Sequence, residues 1–186
     1  MKKKAWVFLA SGFEEIELIT VVDILRRGGI ETTMLGLMDG PIKGSRGISV
    51  LADRAIDQTE DVVCDMIILP GGIEGTKHLQ NDKRVQRMIE NAVRKKIWIA
   101  AICAAPSLLT AYLSGKKATS HPAVRSLMSG VDYQEERVVI DDHFVTSRAP
   151  GTAMEFAFEL VRILAGDERV RVMNEGVMAN IKSHAF

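Results

Sequence analysis

The sequence predicts an α/β protein: a doubly wound, mostly parallel sheet with helices on both faces. Three observations predict it. Apolar runs of strand length alternate with amphipathic helical patterns along the chain. The strand runs are apolar throughout, as in parallel strands covered on both faces. Three informative segments, Gly12–Glu17, Pro70–Gly72 and Cys103–Pro106, fall at the carboxyl ends of strands, where such sheets bind ligands.

The first strand is Ala5-Trp6-Val7-Phe8-Leu9-Ala10, a continuous apolar run. Ser11-Gly12-Phe13-Glu14 fits a capping box, with Ser11 capping and Glu14 reaching back. The helix it opens runs to Arg26-Arg27 and stops at Gly28-Gly29, a C-terminal signature. Thr32–Leu37 is the second strand, and Gly40–Asp53 reads as a small antiparallel excursion. Asp65–Leu69 is a buried strand ending in Pro70-Gly71-Gly72. Asp82–Lys96 is an amphipathic helix with Val85, Met88, Ile89 and Val93 on one face. The strand Ile97–Ile102 then runs into Cys103, and Pro106 begins the next helix. Lys117–Ser120 is short, and His121-Pro122 opens another short helix. Arg137–Ile140 and His143–Ser147 form a hairpin across Asp141-Asp142, and Gly151–Ala165 is a last amphipathic helix.

At 186 residues the chain reads as one domain, 1–186, long enough to bury a full core. Lys plus Arg equals Asp plus Glu at 24 each, and no basic stripe with interleaved aromatics argues for nucleic acid. Lys2-Lys3-Lys4 is a short solvated end. The apolar run Ala5–Ala10 is too short for a signal-peptide core, and no apolar segment reaches the length of a membrane span. Cys64 and Cys103 form neither a disulfide framework nor a metal-ligand spacing. The expectation is a cytoplasmic protein with no metal, no cofactor and no membrane partner.

Cys103 is the most informative residue. A cysteine at a strand-to-helix junction has the geometry of a nucleophile elbow, and a helix N-terminus beside it favours thiolate over thiol. Cys103 is therefore expected to titrate below ~7.5. Glu17 is the second anomaly. It falls in line with Phe13, Thr20, Val21 and Ile24 at helical spacings, on or beside the apolar stripe. Such a carboxylate costs several kcal/mol unless paired or protonated. Either it drifts half-exposed, or it is a protonated carboxyl donating to a nearby anion. Glu14 and Glu15 have a simpler reading as first-turn carboxylates favoured by the helix dipole. Gly71 and Gly72 let the backbone turn its N–H groups toward an oxyanion. Arg148 follows a strand and precedes a helix, an anion-facing place. His121 is a candidate base, though a His-Pro pair before a helix is more often structural. Cys64 reads as structural.

Together these segments resemble the ThiJ/PfpI superfamily, in the branch of the parkinsonism-associated protein deglycase and its bacterial relatives. The resemblance runs from Ala5 to about Ala165. It is carried by Gly12-Phe13-Glu14-Glu15-Ile16-Glu17, Val22–Gly29, Leu69-Pro70-Gly71-Gly72, Ala100–Pro106, Thr119-Ser120-His121-Pro122 and Thr146–Thr152. It implies a flavodoxin-like fold and a homodimer. It makes Cys103 the reactive thiol and Glu17 its protonated partner, and puts Gly72 and the backbone after Cys103, at Ala104, in an oxyanion hole. It sets His121 nearby, with Arg27, Arg46 and Arg148 around the pocket and the dimer interface. Two residues depart from the pattern. Ala104 stands where the protease branch has histidine, which argues against a Cys-His peptidase. Ala105 replaces the usual glycine, and its methyl is expected to narrow the elbow.

Three functions follow from this reading. The first is a cofactor-independent enzyme in which Cys103 attacks methylglyoxal, glyoxal or their early adducts on protein side chains. The second is a redox sensor or chaperone regulated by oxidation of Cys103 to the sulfinic acid. The third, a flavin module, is disfavoured because Gly12-Phe13-Glu14-Glu15 would repel a phosphate. A thiazole-biosynthesis label used for some relatives has no support in these residues.

Overall fold

The structure is a computed structural model that describes residues 2–58 and 62–181. The first unit is β1 (Lys4–Leu9), α1 (Glu15–Arg27) and β2 (Glu31–Gly36). A hairpin of β3 (Pro41–Lys43) and β4 (Ser49–Leu51) follows, then the short β5 (Arg54–Ala55). The second unit is β6 (Met66–Leu69), α2 (Ile73–Asn81), α3 (Lys83–Lys95) and β7 (Trp98–Ile102). Beyond it lie a 3-10 turn at Ala105–Leu109, α4 (Thr110–Leu113), β8 (Lys117–Ala118), a second 3-10 turn at Pro122–Leu127 and β9 (Asp132–Tyr133). The hairpin β10 (Val138–Asp141) and β11 (Phe144–Ser147) leads into α5 (Ala153–Ala165) and α6 (Asp167–Gly176).

The central sheet has the order β10-β11-β7-β6-β1-β2-β5, parallel except for the β10–β11 pair. Its long parallel strands read β2-β1-β6-β7-β11, the doubly wound order of flavodoxin-like folds. Side-chain alternation builds two cores from one strand. Ala5, Val7 and Leu9 of β1 pack with Ala100 and Ile102 of β7 under α1 and α5. Trp6 and Phe8, with Ile99 and Ala101, pack on the opposite face under α3 and the segment after Cys103. The apolar strands were legible for this reason: with helices on both faces, neither set of side chains meets water.

Three local expectations change. Ser11 does not cap α1. Glu14 is the N-cap, and its Oε2 accepts from the Glu17 N–H at 2.8 Å, because Gly12 at φ 79° turns the chain before the helix begins. The segment after Cys103 opens as a 3-10 turn, not an α-helix, and α4 adds only four residues. Gly151 belongs to a 3-10 turn, so the last predicted helix starts at Ala153, and α6 follows it beyond Gly166. The excursion over Gly40–Asp53 and the hairpin ending at Ser147 form as expected.

The switch point of the sheet lies between β1 and β6, where the winding reverses. The chain leaves β1 into Gly12-Phe13-Glu14 and leaves β6 into Pro70-Gly71-Gly72. At this crevice, with the end of β7 alongside, the candidate site is built.

Candidate active site

Cys103 sits at φ 65°, left-handed backbone that non-glycine residues seldom adopt. Such strain persists only where the surroundings over-determine it. Here the Cys103 N–H donates to the Ser147 carbonyl at 3.0 Å, and its carbonyl accepts from the His121 N–H at 2.7 Å. Bonds to β11 and to the His121 turn hold the elbow from both sides. The side chain is half-buried and opens into a cleft of about 430 Å³. Gly12, Glu14, Ser45, Arg46, Gly72 and His121 are among the residues that share this cleft. Two other concavities, along β10 and beside α6, hold neither cysteine nor histidine.

Glu17 is fully buried, which decides between the two expectations for it. Its Oε2 accepts from the Gly71 N–H at 2.9 Å, its buried Oε1 meets no hydrogen-bond partner, and the carboxyl lies against the Cys103 thiol. Burial, with the nearby Glu14 charge, pushes Glu17 up to about 7, against the Cys103 thiol and the Gly71 N–H. Cys103 is pushed the other way from expectation. Burial first, then the Glu17 charge beside it, raise the thiol to about 12, opposed by the N–H groups of Gly72 and Ala104. The expected depression below ~7.5 relied on a helix dipole, and a 3-10 turn with four further helical residues carries little of one. The two groups therefore titrate as a pair. A proton on Glu17 removes the charge that opposes the thiolate and leaves the Gly72 and Ala104 donors aimed at sulfur.

Gly71 and Gly72 separate into different tasks. The Gly71 N–H is taken up by Glu17, so it is not an oxyanion donor; this corrects the expectation for that residue. Gly72, at φ 91°, aims its N–H at Cys103 and caps α2. A side chain at Gly71 would reach 2.6 Å from the Cys103 Cβ and press on the Glu17 carboxyl. Gly71→Ala is expected to destabilise the protein by about 3 kcal/mol through overpacking, read from urea unfolding midpoints at constant slope. An unchanged midpoint would show that the crevice has room to spare.

His121 caps the turn Pro122–Leu127 by accepting the Ala123 N–H on Nδ1 at 3.2 Å. That bond leaves the proton of a neutral ring on Nε2, so the imidazole is presented as a donor and not as a base. Ala105 points its methyl into the core beside Leu109 and Leu113, away from the cleft, and does not narrow the elbow. Of the three arginines, only Arg46 lines the cleft. Arg27 pairs with Asp23 at 2.7 Å on the outer face of α1, and Arg148 donates to the Glu135 carbonyl at 2.7 Å. Neither reaches the cleft, because both side chains are engaged on other surfaces. Cys64 is held by the Met66 carbonyl, and burial pushes its thiol up to about 12. Among the described residues no group of three His, Cys, Asp or Glu side chains can hold a metal, and no helix is long and apolar enough to cross a membrane.

Sequence reasoning missed Glu15 and Ser45. Glu15 looked like an ordinary first-turn carboxylate, yet it is buried against the β3–β4 turn. The glycines flanking Ser45-Arg46 were the available signal for a tight turn that meets another element.

An α/β protein with a strained cysteine at the switch point, beside a buried carboxyl, defines a class of elbow-cysteine proteins. The chain belongs to the DJ-1/PfpI family, which matches residues 3–163. It is 38% identical over 183 residues to protein dj-1beta of Drosophila melanogaster, covering 96% of this chain and 98% of that one. The crystal structure of Drosophila melanogaster DJ-1beta superposes with a TM-score of 0.91 at 36% identity, over 96% of this chain and 98% of that one. Glutathione-independent glyoxalase DJR-1.2 of Caenorhabditis elegans is 35% identical over 159 residues, 84% of this chain and 85% of its own.

Proposed function

We propose that the chain works as one domain, a cofactor-independent glyoxalase or deglycase that acts on methylglyoxal, glyoxal or their early protein adducts. The Glu17 carboxyl, fully buried beside Cys103 at a positive-φ elbow, carries this reading. The similarity to a relative named as a glutathione-independent glyoxalase supports it.

With methylglyoxal the Cys103 sulfur bonds to the aldehyde carbon, and the one proton that the thiol and Glu17 share passes through Glu17 to the carbonyl oxygen, leaving Glu17 as the carboxylate. The Gly72 and Ala104 N–H groups stabilise that oxygen as charge develops. The Glu17 carboxylate then removes the proton from the former aldehyde carbon and returns it to the neighbouring carbon, while the hydroxyl proton moves to the neighbouring oxygen, leaving a thioester of lactate. Water cleaves the carbon–sulfur bond and restores the thiol. A carboxyl poised near neutrality suits both halves of that shuttle. His121 donates from Nε2 to the substrate oxygen.

A second reading, a sensor or chaperone governed by Cys103 oxidation, shares the half-buried thiol. Graded peroxide separates the two. Two oxygens are expected to add at Cys103 and none at Cys64, with turnover falling in proportion, because a sulfinate cannot attack a carbonyl. Intact-protein mass and lactate formation on the same samples measure both. Turnover retained by oxidised protein would overturn the nucleophile, and clean oxidation with no turnover by reduced protein would favour the sensor.

The proposal includes a homodimer in a reducing cytoplasm. Ile16 and Ile19 on α1 and Ile48 on the adjoining turn are exposed large apolar side chains, a surface suited to a second copy. Arg27 lies on the same helix. Sedimentation of Ile19→Glu as a monomer is the expected result.

A further inference from the structure

The turn between β3 and β4 brings Ser45 and Arg46 to the Cys103 cleft, although this hairpin lies outside the central sheet. It is tied to the start of α1 by backbone bonds from Gly12 N–H to the Lys43 carbonyl at 2.8 Å and from Ser45 N–H to the Phe13 carbonyl at 2.8 Å. A third tie is unusual. The Glu15 carboxylate is 5% exposed and accepts the Arg46 N–H at 2.6 Å and the Ile48 N–H at 3.3 Å on Oε1, and the Ser45 hydroxyl at 3.1 Å on Oε2. Gly44 lies so close that an added Cβ would sit 2.5 Å from Oε1. Burying a charge costs heavily unless it is hydrogen-bonded, and here the acceptors are satisfied by one turn alone. The Arg46 guanidinium that this turn carries pairs with no carboxylate among the described residues.

We propose that Glu15 is a positioning residue that holds Arg46 at the mouth of the Cys103 cleft, where Arg46 selects for reagents and carbonyl substrates carrying a carboxylate. The assignment rests on Cys103 being the nucleophile proposed above, but Glu15 touches neither the sulfur nor the substrate. It acts through the turn: its carboxylate replaces water on two backbone N–H groups and fixes where the guanidinium emerges. Glu14 and Glu74 also border the cleft and oppose an anion, so the sign of the local field depends on where Arg46 is held.

The test compares alkylation of Cys103 by iodoacetate and by iodoacetamide, which differ in charge and little in size. Arg46→Ala and Glu15→Ala are each expected to lower the iodoacetate-to-iodoacetamide rate ratio by about fivefold, the scale of one partly screened charge at a cleft mouth. The double variant is expected to match the singles, because both remove one interaction. Glu15→Gln keeps a carbonyl for the two N–H groups and an amide for Ser45, so it should retain the wild-type ratio. In turnover, 4,5-dioxopentanoate, a 2-oxoaldehyde with a distal carboxylate, should show a raised KM in Glu15→Ala while the KM for neutral methylglyoxal stays level. Hydrogen exchange at the Arg46 and Ile48 amides should accelerate in Glu15→Ala. A wild-type ratio in Glu15→Ala with accelerated exchange would overturn the assignment, as would additive effects in the double variant. If Glu15→Ala fails to fold, the assignment stands or falls on Glu15→Gln retaining the ratio that Arg46→Ala loses. Absence of any turnover would defeat the glyoxalase reading and leave the alkylation ratio still decisive for Glu15.

Discussion

Cys103→Ser is expected to cut lactate formation from methylglyoxal by about 10³-fold or more while leaving the fold intact. Serine fits the same elbow, because the φ of 65° is imposed by bonds from the Cys103 backbone to Ser147 and His121 that do not involve the side chain. Its hydroxyl lacks the acidity and softness of the thiol, and a buried carboxyl near neutrality cannot ionise it. The unfolding midpoint should stay within about 1 kcal/mol of the parent, as for a near-isosteric change at a half-buried position. Substantial residual turnover would place the nucleophile elsewhere, and Cys64 is a poor substitute, since its thiol is taken up by the Met66 carbonyl and does not line the cleft.

Glu17→Gln is expected to separate activity from stability in opposite directions. Loss of the proton shuttle should lower turnover by about 10²- to 10⁴-fold, the range for a removed general acid–base group. Stability should change with pH in a defined window. Glu17 rises from 4.5 when unfolded to about 7 in the folded protein, so the native state holds the proton more tightly between those values. Its contribution is fully present below pH 4.5 and is lost as pH rises through 7, a swing of about 3 kcal/mol. The amide does not titrate. The variant should therefore gain on the parent progressively from pH 4.5 to just above 7, measured by urea unfolding at fixed ionic strength. A pH-independent difference would mean that Glu17 is ionised throughout, and full activity would remove it from the proton transfers.

The two outcomes together test the pair and not one residue. With Glu17 protonated, sulfur faces the Gly72 and Ala104 N–H donors and a neutral carboxyl; with Glu17 ionised, it faces a buried negative charge. Turnover and thiol reactivity should consequently report a shared proton, with apparent titrations that belong to both groups.

Strands and helices with strong patterns were legible in the residues. The β1, β6 and β7 runs are apolar on both faces because both faces are covered, and α3 showed its stripe through Val85, Met88 and Ile89. The end of α1 at Gly28 was also legible, while the cap that Asp82 supplies to α3 by accepting the Arg84 N–H came from the structure. The start of α1 was not legible, because its cap depends on Gly12 adopting positive φ against α2, a contact from a distant part of the chain. The 3-10 turn after Cys103 was hidden for a similar reason, since Pro106 suits the first turn of either helix type.

By itself the sequence determined the doubly wound class, the elbow at Cys103 and the anomaly of Glu17, because each rests on local spacing and residue type. Only the tertiary structure decided that Glu17 is fully buried and that it takes up the Gly71 N–H, which leaves Gly72 and Ala104, already implied by the resemblance, as the donors beside sulfur. It also decided that Arg46 alone of the three arginines reaches the cleft, and that Glu15 holds the turn that carries it. Hydrogen-bond partners and electrostatic environments are properties of chain segments brought together from opposite ends of strands. A spacing rule sees one segment at a time, so it identifies which residues are anomalous and leaves their partners to the fold.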